Sequence, residues 1–208
     1  MSKIDLNNIS HSYNPNDPNP IYALNPFSMT WENGKRYAIL GPSGCGKTTM
    51  LNIVSGLVRP SAGTILFDDK DVTDLKTESR NIAQVFQFPV IYNTMTVYEN
   101  LAFPLKCRDF LKDKIDERVK SVADTLNLQS FLNSPARKLT ADQKQLISLG
   151  RGLVREDVAA VLMDEPLTVI DPDLKFRLRR KLKEINEEFK TTLVYVTHDQ
   201  NEAMTFAD

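Results

Sequence analysis

Short apolar runs alternate along the chain with stretches in which apolar residues return every three or four positions. Ile4 to Ile9 alternates apolar and polar residues, the pattern of an edge strand. Arg36 to Leu40, Gly63 to Asp68 and Asn81 to Gln87 read as further strands, and Thr192 to Thr197 as the last one. Val158 to Met163 is continuously apolar, as expected of a parallel strand covered on both faces. Thr49 to Leu57 reads as a helix. Ile115, Val119, Val122 and Leu126 recur at helical spacing inside a helix-rich insert from about Asn100 to Val154. Leu174, Leu178, Leu182, Ile185 and Phe189 mark one face of another helix. Asn14 to Pro20, rich in Asn, Asp and Pro, is a loop. Strands alternating with helices predict an α/β fold.

Composition narrows the function classes. The chain has 208 residues, enough for one sizeable core or two small lobes. Lys plus Arg is 26 and Asp plus Glu is 27, so the overall charge gives no argument for nucleic acid as a partner. Cys45 and Cys107 are the only cysteines, too few for a disulfide framework. The segment Met1 to Asn8 is polar and mixed, unlike an export signal. No apolar run approaches the roughly 20 residues that span a bilayer. The expected compartment is the cytoplasm, with any link to a membrane made through another protein.

The chemistry lies in two segments. Gly41-Pro42-Ser43-Gly44-Cys45-Gly46-Lys47-Thr48 fits G-x-x-x-x-G-K-[ST] in full, between a predicted strand and a predicted helix. Its glycines let the backbone wrap so that several N–H groups face one anion. The helix that follows presents its positive end to phosphates. Lys47 adds a charge for the β and γ phosphates of ATP, and Thr48 offers a hydroxyl to Mg²⁺. Thr49 is counted with the loop as nucleotide-binding. In Val161-Leu162-Met163-Asp164-Glu165 a buried strand delivers Asp164 at its carboxyl end, where open α/β sheets place ligands. Asp164 would hold Mg²⁺ directly or through water, and Glu165 would orient or deprotonate the attacking water. His198 follows the last strand in the same manner, whereas His11 lies in a polar stretch and receives no role.

In this order the elements resemble the nucleotide-binding subunits of ABC transporters over essentially the whole chain. The resemblance rests on the P-loop, Gln87, the helical insert, Leu139 to Gln143, the Asp164-Glu165 pair, Asp171 and His198. Tyr13 stands where the family stacks an aromatic ring on adenine. The resemblance implies a P-loop NTPase (RecA-like) sheet core, about 1–90 and 155–208, with an attached helical subdomain, about 100–154. It implies ATP and Mg²⁺ as cofactors and a dimer sandwiching two ATP molecules. Gln87 would sense Mg²⁺ and lead into a groove for the transmembrane permease, which Phe88, Pro89, Val90, Ile91 and Tyr92 suit. Thr94-Met95-Thr96-Val97-Tyr98-Glu99-Asn100 resembles importers of carbohydrates and polyols, so a sugar, glycerol or a related polyol is the expected cargo. Such subunits usually carry a regulatory domain beyond the point where this sequence ends, and the expectation is a shortened chain without it.

Two motifs depart from the family pattern. Leu139-Thr140-Ala141-Asp142-Gln143 stands for L-S-G-G-Q, with neither glycine kept, and Thr168-Val169-Ile170-Asp171 stands for S-[AN]-L-D. Asp142 would add a negative charge near a phosphate. The expected assembly is therefore an asymmetric heterodimer with a second ATPase subunit, favoured over a homodimer. Three rival readings remain. One is a P-loop kinase or GTPase, against which stand the absent N-K-x-D and the presence of a signature and His198. Another is an ABC ATPase of DNA repair or translation, which often brings coiled-coil inserts or tandem domains that are not visible here. The third is a nucleotide-binding module that has lost hydrolysis, which Lys47 and Glu165 argue against and the altered signature argues for.

Overall fold

The computed structural model describes residues 2–168 and 170–208; Met1, from the amino-terminal segment, and Val169, from the altered Thr168–Asp171 motif, lie outside the described residues. In chain order come β1 (Ile4–Ser12), β2 (Tyr22–Trp31), β3 (Arg36–Leu40), α1 (Lys47–Ser55), β4 (Ala62–Phe67), β5 (Lys70–Asp71), α2 (Thr77–Arg80) and β6 (Ile82–Val85). The helices α3 (Val97–Lys106), α4 (Lys112–Thr125) and α5 (Ala141–Leu153) follow, with two single-turn helices at Gln129–Phe131 and Ala136–Lys138. The chain closes with β7 (Ala160–Asp164), α6 (Pro172–Phe189), β8 (Leu193–Thr197) and α7 (Gln200–Phe206). No helix among the described residues is long and apolar enough to cross a membrane.

Two compact units emerge. One runs up to Gln84 and takes up again at Asp157–Asp164 and Ile185–Asp208. It contains an antiparallel sheet of order β2-β1-β4-β5 and a second sheet of order β3-β8-β7-β6, in which β3, β8 and β7 are parallel. Its core gathers Ile4, Leu6, Trp31, Leu51, Ile65 and Leu162. The predicted edge strand is a correction: β1 is central, flanked by β2 and β4. Strand β2, absent from the sequence expectation, covers its outer side. The alternation breaks at Asn8, where φ is 51° and both pairings shift register. Gly63 passes close by, and a Cβ there would stand 2.4 Å from Asn8 O. That approach explains the glycine.

The other unit comprises Val85–Glu156 and Glu165–Glu184. Its core lies among α3, α4 and α5, with Leu101, Leu105, Val119, Val122, Leu146 and Leu149 buried. Gly150 allows the helices to approach: a Cβ there would meet Leu101 Cδ2 at 2.6 Å and Leu126 Cδ1 at 3.1 Å. Both α3 and α5 begin with a capping box, Thr96 with Glu99 and Thr140 with Gln143.

Candidate functional site

In the first unit the parallel pairing fixes what leaves the sheet where. Leu40 pairs with Thr197 and Asp164 with Val196. The loop 41–46, the carboxylate of Asp164 and the turn carrying His198 therefore all depart from the carboxyl edge of the same three strands, the place where such sheets bind ligands. Thr48 Oγ1 donates to Asp164 Oδ2 at 2.7 Å, joining the start of α1 to the end of β7. Lys47 is buried, its ammonium donating to Gly41 O at 2.8 Å and Pro42 O at 2.9 Å. The P-loop is thus closed over its own lysine.

Helix α1 starts at Lys47, two residues before the predicted Thr49, and ends at Ser55, with Gly56 as its left-handed cap rather than at Leu57. Its N-cap is Gly46 at φ 92°, where a Cβ would stand 2.3 Å from Ala23 O. No side chain caps this end and no acid occupies the first turn. Its first-turn donors can be offered to an external anion. The far end is served by Arg80, buried and donating to Ile53 O, Val54 O, Thr73 O and Leu75 O. Burial pushes this guanidinium below its ordinary value, against the pull of Asp74 and Asp71.

Tyr13 is 66% exposed, with its hydroxyl 3.1 Å from Thr49 Oγ1 and its ring edge-on to His11 at 4.6 Å. The loop that holds Tyr13 is thereby tied to α1, with most of the Tyr13 side chain exposed. Ser43, Gly44 and Cys45 are exposed along the loop, and His198 is exposed in the turn after β8.

In the second unit Glu165 adopts φ 45°, a left-handed conformation that a residue with a side chain takes only when its surroundings impose it. Thr168 holds the turn, its Oγ1 3.0 Å from Glu165 O and 3.3 Å from Oε2. Gln87 is exposed, and so are Phe88 and Val90 after it. The segment they begin is pinned from α3 and α5. Val90 N donates to Ser148 Oγ at 3.2 Å, and Arg151 donates to Val90 O at 2.6 Å while lying 4.5 Å over the ring of Tyr92. Asn100 accepts from Tyr92 N at 2.8 Å and donates to Tyr92 O at 3.0 Å. The sequence reading missed Asn100, Ser148 and Arg151, because nothing in their spacing distinguishes a buried bracket from a polar face.

Residues 24–168 match the ABC transporter family. The chain belongs to that family. Among curated relatives, the trehalose/maltose import ATP-binding protein MalK of Thermococcus litoralis is 44% identical over 90% of this chain and 52% of its own length. The sn-glycerol-3-phosphate import ATP-binding protein UgpC of Cupriavidus metallidurans is 41% identical over 100% of this chain and 55% of its own length. The chain thus spans about half the length of these relatives. Among solved structures, the ATP-binding cassette MJ0796, a dimer in a post-hydrolysis state bound to ADP and Pi, aligns with TM-score 0.86 and 29% identity, covering 98% of this chain and 91% of its own.

As an ABC cassette the chain has an unusual signature, and its geometry is now visible. Thr140 caps α5, its Oγ1 accepting from Gln143 N at 3.3 Å, while Gln143 Oε1 accepts from Thr140 N at 3.0 Å. Asp142 sits in the first turn. None of residues 140–143 has a positive φ, so Ala141 and Asp142 fit the helical backbone without strain. Glycines at these two positions would remove a methyl group and a charge.

The residues present fit ATP and Mg²⁺. The P-loop offers an uncapped helix start and a buried ammonium, as a polyphosphate needs. Thr48 and Asp164 bring a hydroxyl and a carboxylate together, the hard oxygen donors that suit Mg²⁺ beside substrate phosphates. Among the described residues no group of three His, Cys, Asp or Glu forms a separate metal site.

Proposed function

We propose that this chain is the ATP-binding and ATP-hydrolysing subunit of an ABC importer for a sugar, glycerol or a related polyol. The observation that carries the reading is the 2.7 Å bond between Thr48 and Asp164, which joins the P-loop to the end of β7. Gly41 to Thr49 would enclose the phosphates, with Lys47 leaving the loop carbonyls for phosphate oxygens. Tyr13 would stack on adenine. Thr48, Asp164 and Gln87 would hold Mg²⁺, which supplies charge neutralisation on the phosphates. Glu165 would orient and deprotonate water, and His198 would bear on the γ-phosphate from the neighbouring strand. The cargo reading rests on the names of the MalK and UgpC relatives and on the Thr94–Asn100 stretch.

The chain would act peripherally at the cytoplasmic face of the membrane, docking a permease through Phe88, Val90 and Tyr92. Its ATPase partner would be a second, different subunit. Asp142 already supplies an anion at the positive end of α5. A phosphate brought to ~4 Å from it would be repelled by ~4 kcal/mol at an effective dielectric of ~20, less with solvent. The site built on this chain's P-loop would be completed by the partner's signature, and the reverse site would be weaker.

Turnover and bound ATP, measured on wild type and Glu165→Gln, test the activity. The variant should bind ATP like wild type and hydrolyse it about 10²- to 10⁴-fold more slowly. Turnover within about threefold of wild type would remove Glu165 as the catalytic carboxylate.

A further inference from the structure

Gln145 is fully buried in α5, five residues beyond the cap Thr140. Its Nε2 donates to Pro166 O at 2.8 Å and to Phe86 O at 3.3 Å. Only the NH₂ of an amide can serve two carbonyl oxygens, so the partners fix its orientation. Its Oε1 is equally buried and meets no hydrogen-bond donor. Two acceptors are thus satisfied and one is left unmet, a mixed outcome for stability. What singles out Gln145 is where the two carbonyls lie.

Phe86 immediately precedes Gln87, and Pro166 immediately follows Glu165. Glu165 is held at φ 45°, a conformation that persists where the surrounding structure imposes it, and hydrogen bonds are made on both sides of it. On one side its own carbonyl receives Thr168. On the other, proline has no N–H, so the carbonyl of Pro166 is that residue's only backbone group for a hydrogen bond. Gln145 takes that group and, with the same amide, the carbonyl next to Gln87.

We propose that Gln145 is a positioning residue: its single amide sets the spacing between Gln87 and Glu165 and ties both to the helix that begins with the signature. A displacement of α5 is then passed to both residues together. This rests on the ATPase reading above, in which Gln87 and Glu165 serve the reaction.

The test uses the full chain carrying Gln145→Met, which keeps the length and lacks the donor. Amide hydrogen exchange is followed residue by residue, and ATP turnover is measured in parallel. Exchange at Gln87 and at Leu167 should quicken together by about tenfold, the effect of one hydrogen bond lost. The kcat should fall by about tenfold while the KM for ATP stays within about threefold, since an interaction made for the reacting geometry is removed. A lower Tm with unchanged exchange at both residues, faster exchange at only one, or an unchanged kcat per folded molecule would overturn the proposal. If wild type itself shows no turnover, the ATPase reading fails, and the exchange data still decide whether Gln145 couples the two segments. Should Gln145→Met not fold, Gln145→Asn keeps an amide that is too short to reach both carbonyls. Faster exchange at both segments then supports the coupling, and faster exchange at only one, or at neither, overturns it.

Discussion

Helix α1 begins on Gly46 and α5 begins on Thr140, and the two starts treat the same electrostatic property in opposite ways. Every α-helix leaves its first N–H groups without intrahelical partners and concentrates positive potential there. At α1 the cap is a left-handed glycine, no side chain caps the first-turn N–H groups, and the turn carries no acid of its own, Asp164 reaching it through the hydroxyl of Thr48. At α5 the Thr140–Gln143 capping box satisfies two donors and Asp142 adds a carboxylate. The first arrangement contributes little to its own helix and keeps the site open for a phosphate. The second stabilises the helix and has answered the positive end from within. A helix start is therefore an anion site only to the extent that its own sequence leaves it unanswered.

The largest effect should come from the open start. Lys47→Ala removes the one cation in the P-loop and its charge-assisted bonds. With each such bond contributing ~1.5–3 kcal/mol, ATP affinity should fall by about 100-fold or more. Equilibrium binding of labelled ATP measures this. An affinity within about threefold of wild type would place the phosphates elsewhere and break the comparison at its stronger end.

Restoring the α5 start to glycine is the converse experiment. In a Glu165→Gln background that blocks hydrolysis, Ala141→Gly with Asp142→Gly should convert an ATP-bound monomer into an ATP-dependent homodimer, read as mass in solution. The parent Glu165→Gln chain should remain a monomer. A stable homodimer of the parent, with wild-type turnover near 1 s⁻¹ or faster, would sink the heterodimer reading. It would mean that the strain-free backbone at Ala141 and Asp142 suffices and the added charge is tolerated.

The open start was legible in the sequence because its signals are local. The P-loop glycines, Lys47, and an apolar strand ending on Asp164 are each coded within eight consecutive residues. Strand β2 was only half legible. Phe27-Ser28-Met29-Thr30-Trp31 alternates apolar and polar residues, a signal the sequence reading missed. The first half is broken by Asn25 and Pro26 and is mostly exposed or half-buried at a sheet edge. Missing it turned the central β1 into a supposed edge. At α5 a signal was present but read differently. Thr140 and Gln143 stand three apart, as a capping box requires, and the same holds for Thr96 and Glu99. Brackets such as Asn100 on Tyr92, Arg151 on Val90 and Gln145 on Pro166 bond side chains to backbone groups that are distant or irregularly spaced in sequence. One sequence carries no pattern for them.

A smaller effect sharpens the open end. Cys45 is exposed in the P-loop, and a Cβ on Gly41 would stand 2.7 Å from its Sγ. The thiol therefore lies against the loop backbone that would enclose the phosphates. Mg-ATP should slow its alkylation by about fivefold or more at saturation, as expected of a group covered by ligand, while Cys107 labels at an unchanged rate. Mass spectrometry of the two tryptic peptides separates them. Cys45→Ser should keep turnover, because the hydroxyl fits the space of the thiol. Equal labelling of Cys45 with and without Mg-ATP would count against the nucleotide lying over this loop.

The smallest effect tests whether α5 serves itself. Thr140 Oγ1 spends a lone pair on Gln143 N, so Thr140→Ala should cost about 1 kcal/mol, as capping threonines do. In a chain of this size that lowers Tm by about 2–4 °C. Thr140→Ser retains the acceptor and should lose less. The sign is the informative part. If α5 were organised for an outside phosphate, as α1 is, removing its cap would leave stability nearly unchanged in the absence of ATP, because the donors would be waiting for the ligand. A measurable fall in Tm without nucleotide means that the fold itself depends on the capped start. Repeating the melt with saturating Mg-ATP separates this from ligand linkage, because ATP bound at the P-loop raises the Tm of wild type and Thr140→Ala by the same increment. A Thr140→Ala chain that melts with wild type would return the first-turn donors of α5 to an outside anion.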